Sequence, residues 1–408
     1  MPNGGLISLV GGSAGAGNAI GAGGLAEGIG LTNATLTSGG GVITLRGTGQ
    51  AGTASAMGVS IVVNSVVNAG AGSISITGQG GSGAGSNGSR GVFIRSNALG
   101  GTQLTTTGGN ITISGTGGSG GGGGAAFIGV QLGQGGSTSG IAVTTTGAGT
   151  INVTGVGGND TGGTNAGVGV ADNSTLTSAN GVITISGTGA GTGANNFGVQ
   201  VLSAGTTISS TGAAAAINLI GQGANGAQGV ALGISSTIGG ASMLGNILMR
   251  SLGGTGVDLS DGVVRTTGTG NVTLNLVGGG GVAQAAGGSL LASGLRVLND
   301  TSGTLNLTGT ANNVTTIAGS LVTGSVLNFR DTNGFAIGSV TSSVDGVAAN
   351  TTTNGLTVGV AATAADTVNL TANGPITQTA AGKLTTGTLT VSNNSAGGTD
   401  LSTAARSR

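Results

Sequence analysis

The sequence predicts an all-β fold built as a parallel β-helix. Three observations predict it: a recurring nine-residue phrase, a period of about 33 residues, and a glycine-rich composition with little charge. The phrase is Gly109-Asn110-Ile111-Thr112-Ile113-Ser114-Gly115-Thr116-Gly117, with variants at 41–49, 72–80, 149–157 and 181–189. Marking its first apolar residue gives Ile7, Ile43, Ile74, Ile111, Ile151, Ile183, Ile217, Ile247, Val272 and Leu305. The mean spacing, (305 − 7)/9, is about 33 residues, within the range of solenoid repeats. Glycine supplies 96 of 408 residues, charged residues are 5% and hydrophobic residues 37%. Disordered chains pair low hydrophobicity with high net charge, and this chain balances ten acidic against ten basic residues. Glycine has no three-residue period and there are two prolines, so collagen is excluded as well.

The first strand of each repeat is the phrase itself. Its alternation of apolar and small polar residues has the two-residue period of a strand with one buried face, and Val, Ile and Thr favour strands. Ile111 and Ile113 are expected to point inward, and Asn110, Thr112 and Ser114 outward. A second phrase follows, as in Gly58-Val59-Ser60-Ile61, Gly129-Val130-Gln131-Leu132 and Gly198-Val199-Gln200-Val201. A third lies between them, as in Gln103-Leu104-Thr105-Thr106-Thr107 and Ser174-Thr175-Leu176-Thr177-Ser178. Glycines at the ends permit positive φ and sharp corners. Three short strands with two tight corners and one glycine-rich loop, such as Gly115 to Gly124 or Gly187 to Gly193, make one triangular coil. Stacking like strands at about 4.8 Å pairs their backbones and yields a β-solenoid. The core is expected to be columns of Ile, Val and Leu, with Phe93, Phe127, Phe197, Phe329 and Phe335 as its aromatics.

Residues 1–310 read as the β-helix repeat region. Residues 311–408 read as a continuation with a different coil type or the start of a second array, since the phrase loosens and the strands now turn at Asn-Gly corners such as Asn373-Gly374. The tail Arg406-Ser407-Arg408 has no capping element, which suggests a fragment. No apolar run reaches the roughly 20 residues of a membrane-spanning helix. Met1-Pro2-Asn3-Gly4-Gly5-Leu6 has no cationic segment before an apolar core, so no signal peptide is expected in this chain. Zero net charge without a basic cluster argues against nucleic-acid partners.

The Gly-x-Ile-Thr-Ile-x-Gly-x-Gly phrases between residues 41 and 189, together with Leu370-Thr371-Ala372-Asn373-Gly374-Pro375-Ile376-Thr377-Gln378, resemble the passenger regions of filamentous-haemagglutinin-like adhesins and autotransporters of bacteria. The resemblance implies a right-handed helix, export to the cell surface or medium, and adhesion to glycans or proteins of host or neighbouring cells. The family's N-terminal secretion domain and C-terminal barrel are not in this chain. The resemblance implies them as flanking secretion domains or an outer-membrane translocator of a full-length protein.

Right-handed β-helices also include polysaccharide lyases and hydrolases. The nearest candidate set for such chemistry is Asp258, Asp261 and Arg265. Glycosidic cleavage needs paired carboxyls about 5–5.5 or 6.5–9.5 Å apart. Against it, Asp258 occupies the outward position of Gln131 and Gln200, and Asp261 precedes a glycine as turn residues do. With no histidine, cysteine or tyrosine, few acid–base groups exist. The expectation is a non-catalytic surface rod for adhesion or spacing, with a carbohydrate-active enzyme as the alternative, and with no catalytic, cofactor-binding or metal residue assigned. Gly157-Gly158-Asn159-Asp160-Thr161-Gly162-Gly163 is similar to a calcium-binding nonapeptide but occurs once and lacks its third glycine, so it reads as a solvent-exposed loop. Glycine loops without a following Lys and helix bind no phosphate. Threonine ladders that could order ice, suggested by Thr105-Thr106-Thr107 and Thr144-Thr145-Thr146, are interrupted, since their equivalents are Thr35-Leu36-Thr37-Ser38 and Ser65-Val66-Val67-Asn68, and the threonines read as strand formers.

Overall fold

Each coil lays down three strands in the order second phrase, third phrase, nine-residue phrase. One coil comprises Val130–Leu132, Ala142–Thr145 and Ile151–Val156, here called its first, second and third faces. The computed structural model describes residues 4–11, 17–23, 26–83, 88–96, 101–120, 126–134, 139–212, 215–359, 363–394 and 397–402. Gly121–Gly124 of one glycine-rich loop, Met1–Asn3 and the tail Arg406–Arg408 lie outside them. Among the described residues there is no helix, and none long and apolar enough to cross a membrane.

Like strands pair in parallel from coil to coil. The first faces form a 13-stranded sheet; the second and third faces belong to one 25-stranded sheet. On the third face, Ile7, Ile43, Ile74, Ile111, Ile151, Ile183, Ile217, Ile247 and Val272 are consecutive register partners. The chain is a right-handed parallel β-helix, the hand that crossovers between parallel strands adopt. Its core is a column of buried Ile, Val and Leu from all three faces. Phe329 and Phe335 join it edge to face at 5.0 Å. The other phenylalanines correct the expectation of a common aromatic core. Phe127 is buried outside that column, against Gly158 of the next loop, and Phe197 is half-buried. Phe93 pairs with Ser60 and Gln131 on the outward side.

The glycines of the phrase also act differently from the expected positive-φ corners. Gly78, Gly115, Gly155 and Gly187 are register partners on the third face, and none has positive φ. They face a second column, Gly91, Gly129, Gly167 and Gly198, that opens the first face. A Cβ on Gly155 would lie 2.0 Å from the carbonyl oxygen of Gly167, and one on Gly167 would lie 2.2 Å from the Thr188 amide nitrogen. Here the two backbones approach so closely that only hydrogen fits. This contact, rather than chain reversal, sets the Gly-x-Gly spacing.

The two tight corners carry buried hydroxyls. Before the second face, Ser65, Thr102, Thr206 and Ser236 are fully buried and donate to the carbonyls of Val62, Arg95, Leu202 and Gly233 at 2.6, 2.8, 2.7 and 2.9 Å. After it, Thr106 and Ser210 donate to Gly109 and Gly181 at 2.7 Å each. A third column, ahead of the first face, holds the glycine loops in place. The Asn196 carboxamide donates to the Gly191 and Gly193 carbonyls at 3.1 and 2.8 Å and accepts from the Asn165 amide at 3.0 Å. Asn165 repeats this one coil earlier, donating to Asp160 O and Gly162 O and accepting from Phe127 N. Replacing Asn196 by Ala strips donors from two loop carbonyls and the acceptor from a buried amide. Asn196→Ala is therefore expected to cost about 2–3 kcal/mol, read as a lower urea midpoint; an unchanged midpoint would show that the loops hold themselves.

Coil length is not uniform. First-face partners are 38 residues apart from Val130 to Val168 and 31 from Val199 to Val230. They are only 23 apart from Val282 to Leu305 and 22 from Leu305 to Leu327. The average of about 33 conceals this change, because the loop leading from the third to the first face shrinks while the strands keep their places. The marker at Leu305 is accordingly corrected: Leu305 lies on the first face, and the third-face partner of Val272 is Leu295. In these short coils a single strand, Ser289–Asn299, spans both second and third faces.

One coil carries an insertion. Ile337 pairs with Ile317 and Leu356 with Gly319, so the antiparallel hairpin Ser339–Ser342 with Thr351–Asn354 interrupts the third face. It folds back as a strap over the outer third face of earlier coils. Thr273 and Ser342 share a hydroxyl hydrogen bond of 2.6 Å, Asn275 donates to Val344 O at 2.6 Å, and Gly346 lies against Asn218. Leu248 and Val340 are thereby buried.

Candidate functional site: the outward surface of the rod

The alternation that buries Ile111 and Ile113 leaves columns of short polar side chains on the outside. On the third face, Thr44, Ser75, Thr112, Asn152, Thr184 and Asn218 are successive partners, and Arg46, Thr77, Ser114, Thr154 and Ser186 form a parallel column. Thr112 is exposed and Ser114 half-buried. Asn110 is exposed too, but its carboxamide is engaged, accepting from the Thr150 amide of the next coil at 2.9 Å. On the second face one column runs Thr35, Val66, Gln103, Ala142, Thr175, Thr207, and its neighbour runs Thr37, Asn68, Thr105, Thr144, Thr177, Ser209. Val66, Gln103, Ala142 and Asn68 interrupt the threonine ladders in register. Farther along the rod an asparagine ladder forms on the first face, with Asn328 donating to Asn306 at 2.6 Å and Asn369, beyond the coil that carries the hairpin, to Asn328 at 2.7 Å.

The acidic candidates fall on different parts of the coil. Asp258 is on the first face in the column of Gln131 and Gln200. It is half-buried, and its Oδ1 accepts from the Ser260 amide at 2.9 Å and hydroxyl at 2.8 Å. That turn accompanies a bulge after Asp258, with Ser260 at φ 36°. Asp261 sits at the following corner and accepts from the Gly287 amide at 3.1 Å. Arg265 points outward from the second face. The depression that Asp258 lines contains neither Asp261 nor Arg265, and Arg265 lines a separate one with Leu291 and Asn313. Asp258 thus serves as a local turn acceptor, and Asp261 as the acceptor for a corner of the next coil. Asp160 corrects the reading of its loop as solvent-exposed: it is buried, and its Oδ1 accepts from the Thr161 amide at 2.7 Å. No group of three or more acidic or metal-ligating side chains converges among the described residues.

Two surface features had no sequence signal. The first is an arginine pair around Phe93, an outward aromatic in a column otherwise occupied by Ser60 and Gln131. The Arg90 guanidinium lies 4.6 Å and that of Arg95 5.6 Å from the ring centroid. Arg90 Nε donates to Gln131 and Arg95 Nη1 to Gln134. Burial, and then the neighbouring Arg95 charge, push the Arg90 guanidinium down to about 10. The second is the strap. Beneath it Asn218, Asn246, Leu248, Thr273, Ser342 and Asn350 line a cavity of about 180 Å³. A broader open groove of about 540 Å³ lies over the stacked turns Asn333-Gly334 and Asn373-Gly374-Pro375.

No family model, curated protein or solved structure matches the chain.

Proposed function

We propose that the chain is a non-catalytic rod, secreted or displayed at a bacterial cell surface, that acts in adhesion or as the stalk holding an adhesive surface away from the cell. The observation that carries this reading is the unbroken first-face ladder of 13 strands. At about 4.8 Å per coil it makes a stiff element of roughly 60 Å, flanked by columns of mostly short polar side chains rather than by one deep site. Extended surfaces of this kind engage partners by repetition. The phrase resemblance to adhesin passengers supports the location.

The test uses beads coated with the 408-residue chain. They are expected to adhere to bacterial or epithelial cells more than albumin-coated beads do, or, for a pure stalk, only when an adhesive domain is fused to one end. The reading is overturned if the chain depolymerises a polysaccharide, measured as new reducing ends or unsaturated products, and loses that activity in Asp258→Asn or Asp261→Asn.

A further inference from the structure

We infer that Arg90, Phe93 and Arg95 form an oxyanion-binding subsite on the first face, taking the carboxylate or sulfate groups of an acidic polysaccharide. The inference rests on the adhesive reading above and supplies it with a ligand class.

The geometry begins with the ring. Phe93 sits at an outward strand position, yet it is 5% exposed because the two guanidiniums cover it. Stacking on an aromatic face is favourable for a guanidinium and restrains its orientation. Holding both on one ring also brings two positive charges together, which costs energy unless an anion is near. Neither guanidinium hydrogen-bonds to a carboxylate among the described residues; their partners are the neutral Gln131, Gln134 and the Gly88 carbonyl. Each guanidinium offers five N–H groups. Of the ten, these three hydrogen bonds commit three, and Arg95 Nε is buried without a partner. The site is therefore a prearranged excess of charged donors lacking an acceptor, and a planar fork matches the oxygens of a carboxylate or sulfate.

The surroundings favour a sugar over an acidic peptide. The exposed Gln134 places a neutral carboxamide beside the Arg95 charge, a partner of the kind that ring hydroxyls of a saccharide need, while Ser60 and Gln131 are buried in the same column and hold the pair in place. The first-face ladder also continues along the rod in both directions from Phe93.

Binding is measured by affinity electrophoresis of the full chain through gels containing polygalacturonate, dextran sulfate, neutral dextran or poly-glutamate. Retardation by one or both acidic polysaccharides, weakening with salt, and none by neutral dextran, is expected. Retardation by only one identifies carboxylate or sulfate as the source. Arg95→Gln, which keeps a hydrogen-bonding side chain, is expected to weaken binding about tenfold or more, the loss of one charged bidentate contact. Arg265→Gln, which removes a cation from the second face, should leave it unchanged. The subsite is overturned if neither acidic polysaccharide retards the chain, if Arg95→Gln binds as the parent does, if Arg265→Gln loses as much, or if poly-glutamate is preferred. Failure here with bead adhesion intact removes the subsite and leaves the adhesive rod standing.

Discussion

Gly155→Ala is expected to destabilise the protein by about 3 kcal/mol or more, while Gly169→Ala, fourteen positions away in the same chain, stabilises it by about 0.5–1 kcal/mol. The two glycines lie in strands and neither has positive φ, so backbone conformation does not separate them. Space does. The Cβ of an alanine at 155 would meet the Gly167 carbonyl oxygen at 2.0 Å and its carbon at 2.7 Å, and both are backbone atoms held by the ladder. Relief requires the third and first faces to part, which breaks contacts in the coils above and below as well. At Gly169 a Cβ meets nothing within 4 Å, because the position points outward between Gln131 and Gln200. There alanine only lowers the entropy of the unfolded chain. Urea unfolding followed by circular dichroism checks both. Equal midpoints for the two variants would refute close backbone approach as the reason for the Gly-x-Gly columns.

Arg296→Met is expected to free the strap while leaving the coils in place. Arg296 is 5% exposed and has no carboxylate partner in its hydrogen bonds. Its Nε donates to Thr353 Oγ1 at 2.7 Å, Nη1 to the carbonyls of Ser342 and Thr351 at 3.0 and 2.9 Å, and Nη2 to Thr351 Oγ1 at 3.0 Å. Burial draws its proton affinity below the ordinary value, yet a guanidinium stays charged at any physiological pH. Charge-assisted hydrogen bonds of this kind contribute about 1.5–3 kcal/mol each at most, and the deletion leaves two carbonyls unserved. We expect a net loss of about 2–4 kcal/mol. Amide exchange should accelerate at least tenfold over 339–354, while Ile247–Met249 and Val272–Leu274 remain protected. Since no ion pair is involved, salt should not mimic the substitution. Unchanged protection of the hairpin would mean that Leu248, Val340 and the Thr273–Ser342 contact hold it without the arginine.

Several parts of this architecture were legible because they repeat. Ile111 and Ile113 alternate with polar residues, and register pairs them with Ile74 and Ile76 on one side and Ile151 and Val153 on the other. Repetition also placed Asp258 in the column of Gln131 and Gln200. Reading failed where one residue departs from its column. Alternation in Gly91-Val92-Phe93-Ile94 turns the phenylalanine outward, but nothing there says that it is capped by Arg90 and Arg95, which lie on either side of it in sequence and meet on one ring only in the folded strand. Asn165 and Asn196 passed as loop residues, although their recurrence two places before Gly-Val could have marked a column.

Gly334-Phe335-Ala336-Ile337-Gly338-Ser339-Val340 reads as one alternating strand. The structure divides it after Ile337, and Val340 packs into the strap over coils about seventy residues earlier, where Asn271 and Thr273 reach Thr341 and Ser342. The amino-acid sequence by itself determined that this is a solenoid of three-stranded coils with aliphatic columns inside, because a two-residue period and a repeat of fixed phrases are local properties that survive any choice of partner. Which backbones touch through paired glycines, which strand follows Val272 on the third face, where the inserted hairpin lands and how two arginines share a ring were decided only by tertiary structure. Those depend on distances between coils, and alternation specifies the face a side chain takes without specifying what it meets there.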